Sequence, residues 1–137
     1  MDTLLQPIAQ KQQSYLKDTT DFIINFIENT KIGKDTILVA MDVSSLYTNI
    51  PKEEGIEMVC KTYETFHDND PAIPTRFLRE MLGVILTENS FEFNGKNDLQ
   101  THGVAMGTKT AVSFANIFMA EIETNLIQQA KRMEKLY

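Results

Sequence analysis

The stretch Leu38-Val-Ala-Met-Asp-Val-Ser-Ser-Leu-Tyr-Thr-Asn-Ile-Pro51 decides how the rest of the chain is read, because it joins an apolar run to a carboxylate and then to an aromatic ring. The run from Thr36 to Met41 is apolar and partly β-branched, a pattern that predicts a strand covered on both faces and therefore a central sheet position. Asp42 then closes the strand at the rim of the sheet, where the following loop opens a crevice. A carboxylate in such a place costs free energy to desolvate unless it meets hydrogen-bond donors or a divalent cation. Two readings of Asp42 stand side by side: it caps the loop through the amides of Ser44 or Ser45, or it faces a ligand. Tyr47 has two as well, the wall of a pocket beside that ligand or plain burial between the loop and the helix after Pro51.

Working outward, the segment from Asp18 to Asn29 predicts a helix, capped by Asp18 or Thr19, with Phe22, Ile23, Phe26 and Ile27 at helical spacing and Gly33 beyond its end. Pro51 suits a first helical turn, Glu53 and Glu54 complement its positive end, and Ile56, Val59, Cys60 and Tyr63 form one apolar stripe. Pro74 opens another helix, with Phe77, Leu78, Met81, Leu82 and Ile85 expected to face inward. Phe91 and Phe93 alternate before Asn94-Gly95, the signature of a hairpin with a tight primed turn and a return strand through Leu99 and Thr101. A long helix is expected over 110–128, with Ala111, Ala115, Phe118, Ile122 and Leu126 on one side. The order helix, strand, helix, helix, hairpin, helix predicts an α/β (α+β) layer whose small mixed or antiparallel sheet packs against several helices.

At 137 residues the chain fits one domain. Its longest apolar run, Ile37 to Met41, is too short to cross a bilayer, and the start MDTLLQPIAQKQQ lacks the pattern of a secretory signal. A single cysteine, Cys60, forms no internal disulfide and points to a reducing, intracellular location, nuclear or cytoplasmic, with the thiol in core packing. The net charge of -6 is the wrong sign for a module whose whole surface holds nucleic acid, but it suits a subdomain that gathers carboxylates for metal. His67 has no Cys or His at ligand spacing, so a zinc site is rejected.

A second informative stretch runs from Gln100 to Met119, a small-residue loop feeding a helix. Gly103, Ala105 and Gly107 permit close backbone approach by something flat or polymeric, and the helix start offers free amides and a positive dipole end; the alternative is an ordinary hairpin-to-helix connection. Here LVAMDVSSLYTNIP resembles the first catalytic motif of reverse transcriptases, and GVAMGTKTAVSFANIFM resembles the primer-grip-side motif that follows it in Penelope-like retroelements. SYLKDTTDFI is similar to the segment before the catalytic strand in that group. The resemblance covers nearly the whole chain and implies one partial reverse transcriptase domain over residues 1–137, the palm with part of the fingers.

What the resemblance implies is an RNA-directed DNA polymerase that joins a primer 3′-hydroxyl to a nucleoside triphosphate with two Mg²⁺ ions, its partners being an RNA template, a DNA primer and the incoming nucleotide. Asp42 would be the first catalytic carboxylate and would bridge both ions, with the carbonyl of Val43 a ligand to one. The amides of Ser45 and Leu46 would touch the triphosphate. Tyr47 would stack under the deoxyribose and exclude a 2′-hydroxyl, while Met106 and Gly107 would lie against the nucleotide and its templating base. Lys109 is read as a solvated lysine. Two departures stand out. Val112 occupies the place of the family's proline, which weakens the preset helix start. The family's tandem aspartates are absent from the 137 residues, so the chain alone is expected not to polymerise. The alternative is a non-catalytic remnant acting as a binding module, with self-association through exposed sheet edge and apolar surface. A phospho-acceptor or hydrolase domain built on Asp42 is a more distant third reading.

Overall fold

The computed structural model describes residues 1–28, 33–35, 37, 39–68 and 70–134. In chain order the elements are α1 (Asp2–Gln10), α2 (Thr19–Asp21), a π-helical stretch Phe22–Ile27 that continues α2, α3 (Leu46–Asn49), α4 (Lys52–Phe66), α5 (Thr75–Thr87), β1 (Ser90–Phe93), β2 (Lys96–Leu99) and α6 (Lys109–Glu134). The class is mixed α and β, dominated by helix, with a two-stranded antiparallel sheet among the described residues.

The core lies among α1, α4, α5 and α6, and the apolar periodicity explains most of it. In α4 the stripe Ile56, Val59, Cys60 and Tyr63 is buried as its spacing predicts. Gly55 lets α6 approach closely: a Cβ there would lie 2.8 Å from the Phe114 ring. In α5 the buried set is Leu78, Leu82 and Leu86, spaced i, i+4, i+8, with Ile85 partly buried behind them. Phe77 and Met81, expected to face inward, are instead 44% and 38% exposed, because they sit about 100° round the helix from the leucine stripe. The helix α6 forms with Val112 where the proline was missed. Its start is bridged by Thr108, whose carbonyl accepts from the Ala111 N–H and whose hydroxyl donates to the Ala105 carbonyl. Ala111, Ala115 and Phe118 are buried, whereas Leu126, expected beside them, is exposed: residues 124–133 extend past everything that packs on α6.

The sequence pattern gave no expectation of α1. Pro7 within it removes one backbone donor, yet Leu5, Ile8 and Ala9 are buried and the Ser113 hydroxyl donates to Asp2 Oδ1 across 2.7 Å, fastening α1 to α6. Next, Asp18 caps α2 as expected, its Oδ1 accepting from the Asp21 N–H at 2.9 Å. The helix widens to π geometry through Ile27; Asn29 and the Phe26 side chain, both part of the predicted helix, lie outside the described residues.

Two sheet expectations are corrected. Residues 37 and 39–43 form no strand, and Ile37, Val39 and Met41 are exposed, Met41 by 93%, so Asp42 does not close a buried central strand; Thr36 and Leu38 lie outside the described residues. A strand covered on both faces needs ladder partners and covering helices, and the ladder among the described residues pairs only β1 with β2. That hairpin has the predicted register, Phe93 opposite Lys96, and Asn94 and Gly95 both take positive φ (51° and 73°) as a type I′ turn requires. It ends at Leu99 rather than Thr101, and both strands are exposed throughout instead of packing against several helices.

Candidate functional site

The two stretches singled out by sequence meet. After Asp42 the chain turns through Ser45, which takes a left-handed conformation (φ 54°, ψ 43°) just before the single turn of α3. The Ser45 carbonyl accepts from the Thr48 and Asn49 N–H groups and from the Thr48 hydroxyl at 2.9 Å, while the Asn49 amide donates to the Ser44 carbonyl. These bonds fold 44–49 into a compact knuckle, and Leu46 and Tyr47 turn their partly buried side chains toward the core.

On that knuckle sits the glycine loop. The Val104 N–H donates to the Tyr47 carbonyl at 2.7 Å, and Gly103, at φ +69°, lies so close that a Cβ would be 2.6 Å from both Thr48 Cα and the Tyr47 carbonyl oxygen. Only glycine meets both demands, a left-handed φ and contact with bare backbone. Val104 is buried and anchors the loop from below. As a result Ser45, Leu46, Tyr47, Thr48 and Met106 line one small pocket of about 110 Å³. Four of the seven residues predicted for the site, Ser45, Leu46, Tyr47 and Met106, are thus brought together although about 60 residues separate the two stretches.

Asp42, Val43 and Gly107 do not line that pocket. Asp42 and Val43 are exposed on the segment leading into the knuckle, and Gly107 is exposed with nothing within 4 Å of where its Cβ would be. No loop amide donates to the Asp42 carboxylate among the described residues, and the Tyr47 ring is half-buried against the core while bordering the pocket. As for Mg²⁺, no group of three or more His, Cys, Asp or Glu side chains comes together to hold a cation among the described residues. The described donor set therefore does not by itself make a two-ion centre, which needs several oxygen ligands per ion.

On the other side of the Tyr47–Gly103 contact lies a larger polar pocket, about 450 Å³, lined by residues 48–53 and 101–103. Lys52, the first residue of α4, is buried there and donates from Nζ to the Gln100 carbonyl at 2.9 Å. Sequence reading passed over Lys52, for a lone lysine beside two glutamates reads as a solvated helix start. The burial of Cys60 pushes its thiol pKa up, with Arg79 opposing the shift. Among the described residues no helix is long and apolar enough to cross a membrane. No protein-family model matches the chain, and no match was found among curated proteins or solved structures.

Proposed function

We propose that this chain is the palm-centred part of an RNA-directed DNA polymerase of the Penelope-like kind, with Ser45, Leu46, Tyr47, Met106 and Gly107 forming the nucleotide side of the site and Asp42 supplying its first carboxylate. The observation that carries this reading is the backbone contact between the two motifs, Val104 N–H to the Tyr47 carbonyl at 2.7 Å over a glycine that tolerates no Cβ. A chance likeness of two separate stretches does not demand that they touch, whereas a shared nucleotide site does. In this reading Tyr47 discriminates against a 2′-hydroxyl, and Gly107 keeps the space beside Met106 open for a flat base. The Mg²⁺ pair draws its remaining carboxylates from outside these 137 residues, so catalysis belongs to the longer parent, acting on an RNA template, a DNA primer and deoxynucleotides.

The test is primer extension on an RNA template with Mg²⁺, comparing this chain with one lengthened through a tandem-aspartate hairpin and with the Asp42→Asn form of the longer chain. Extension is expected from the longer chain alone. Synthesis by the 137-residue chain, or full activity after Asp42→Asn, would sink the proposal.

A second reading, a non-catalytic module that binds a partner or itself, has one observation in its favour: Ile37, Val39, Met41, Phe91, Phe93 and Leu99 are all exposed. Sedimentation of the 137-residue chain tests the self-association form of this reading, which a monomer at micromolar concentration rules out.

A further inference from the structure

We infer that the chain pairs with a second copy of itself through the open edge of β1, joining two hairpins into one antiparallel sheet in which Phe91 faces its own counterpart across a two-fold axis. This deepens the self-association form of the second reading above, on which it rests, and is independent of the polymerase reading.

The backbone decides what the edge offers. The hairpin register pairs Phe93 with Lys96 and Phe91 with Asp98, and just beyond it the Gln100 N–H donates to the Asn89 carbonyl at 2.8 Å. Bonded and non-bonded pairs alternate along an antiparallel ladder, so 89/100, 91/98 and 93/96 carry the bonds between the two strands. Ser90 and Glu92 therefore turn their N–H and C=O groups to the outer side of β1, and Asn97 and Leu99 do the same on β2. Both strands are exposed throughout, and no other backbone bond reaches Ser90 or Glu92 among the described residues. Such an edge is a template for a further strand.

The side chains choose the partner. A second β1 running antiparallel uses both outward residues when Ser90 lies opposite the second copy's Glu92, and this register sets Phe91 against Phe91. That central pair is the non-bonded kind, in which side chains lie closest, and Phe93 of each copy falls diagonally beside it. Phe91 and Phe93, 51% and 65% exposed in the single chain, thus gather from both copies on one face, and Lys96 and Asp98 give that face a charged rim. On the opposite face the Glu92 carboxylate meets the Ser90 hydroxyl. Shifting the register by two residues opposes Glu92 to Glu92, like charge against like, or Phe91 to Asn89. The β2 edge fails the same test, because pairing through both Asn97 and Leu99 sets Asp98 against Asp98. The favoured contact uses one patch on both copies, so it closes at a dimer. It is far smaller than the about 1,600 Å² of a standard interface, which sets the expected dissociation constant in the micromolar range.

The 137-residue chain is followed by sedimentation velocity across the micromolar range, beside its Phe91→Lys, Asp98→Asn and Phe91→Cys forms, each checked by circular dichroism. All three positions are on the exposed hairpin, outside the core, so the fold is expected to survive. A dimer is expected from the unmutated chain. Phe91→Lys brings two ammonium groups face to face and should weaken it about tenfold or more, whereas Asp98→Asn leaves it unchanged. Oxidation of the Phe91→Cys form with diamide should give a covalent dimer bridged at residue 91 on both copies, as mapped by peptide mass spectrometry. A monomer throughout overturns the inference together with the self-association reading and leaves the edge to a strand of another protein. A dimer that Phe91→Lys does not weaken, that Asp98→Asn strengthens, or that yields no bridge at residue 91 overturns the inference alone, as does growth beyond a dimer. If Phe91→Lys does not fold, the Asp98→Asn comparison and the bridge at residue 91 still decide.

Discussion

Replacing Gly103 by alanine should break the contact on which the candidate site rests. Two costs combine. A non-glycine residue held at φ +69° pays about 1–2 kcal/mol for the left-handed conformation. The new Cβ, 2.6 Å from Thr48 Cα and from the Tyr47 carbonyl oxygen, also meets backbone that cannot rotate away, so the loop must lift and the 2.7 Å bond from Val104 weakens or is lost. Forfeiting that bond adds about 1–2 kcal/mol, because the Val104 N–H is left in a buried place. The sum is about 2–4 kcal/mol, a large share of the 5–15 kcal/mol that a typical domain possesses. Urea unfolding followed by far-ultraviolet circular dichroism measures it. Gly95→Ala is the matched control, since Gly95 has φ +73° with open space around its Cβ and carries the conformational cost alone. If Gly103→Ala destabilises no more than Gly95→Ala, the two stretches are not pressed together and the shared pocket loses its basis.

Gly83→Ala should act in the opposite sense, stabilising by about 0.5–1 kcal/mol in the same assay, because Gly83 lies inside α5 and nothing stands within 4 Å of the added methyl. Ser113→Ala removes the bond to Asp2 and should cost about 1 kcal/mol, with amide exchange in α1 accelerating before that of α4. For Cys60 the folded-state pKa lies above the ordinary thiol value through burial, so the unfolded chain gives up its proton first. Its contribution to stability is fully present below the unfolded pKa and is lost as pH rises toward and through the raised folded one. Unfolding free energies at pH 7 and pH 10 should therefore diverge more in the unmutated chain than in Cys60→Ala, and parallel losses in the two would contradict the assigned burial.

Much of the helical frame is legible in the residues because amphipathic helices announce their buried side locally. The stripe through Ile56, Val59, Cys60 and Tyr63 needed no knowledge of what covers it. The hairpin was equally readable, since Asn94-Gly95 specifies its own backbone. The run through Ile37, Val39 and Met41 failed as a buried strand for the converse reason. Its pattern demands neighbours, and a strand's ladder partners can come from anywhere in a chain or from another one. Phe77 and Met81 misled in a smaller way, for α5 offers two adjoining apolar faces and only the leucine face is covered. Helix α1 was hidden by Pro7 and by its dependence on α6, a partner more than a hundred residues away. Within the site, the resemblance put Tyr47 and Met106 at one nucleotide, whereas the seat of Gly103 on the Tyr47–Thr48 backbone followed from no local rule and Lys52 gave no sign until its burial was known.

The pairing of Asp2 with Ser113 has a consequence for the order of events during synthesis. Helix α1 emerges more than a hundred residues before α6, the helix that completes the cover of its leucine and isoleucine. Until then α4 and α5 form a local pair with an uncovered side, a state in which chaperones, or a neighbouring nascent chain, compete for the seat that α6 will take. Slow translation beyond Leu99 would lengthen that interval and make yield from the cell sensitive to codon choice in α6.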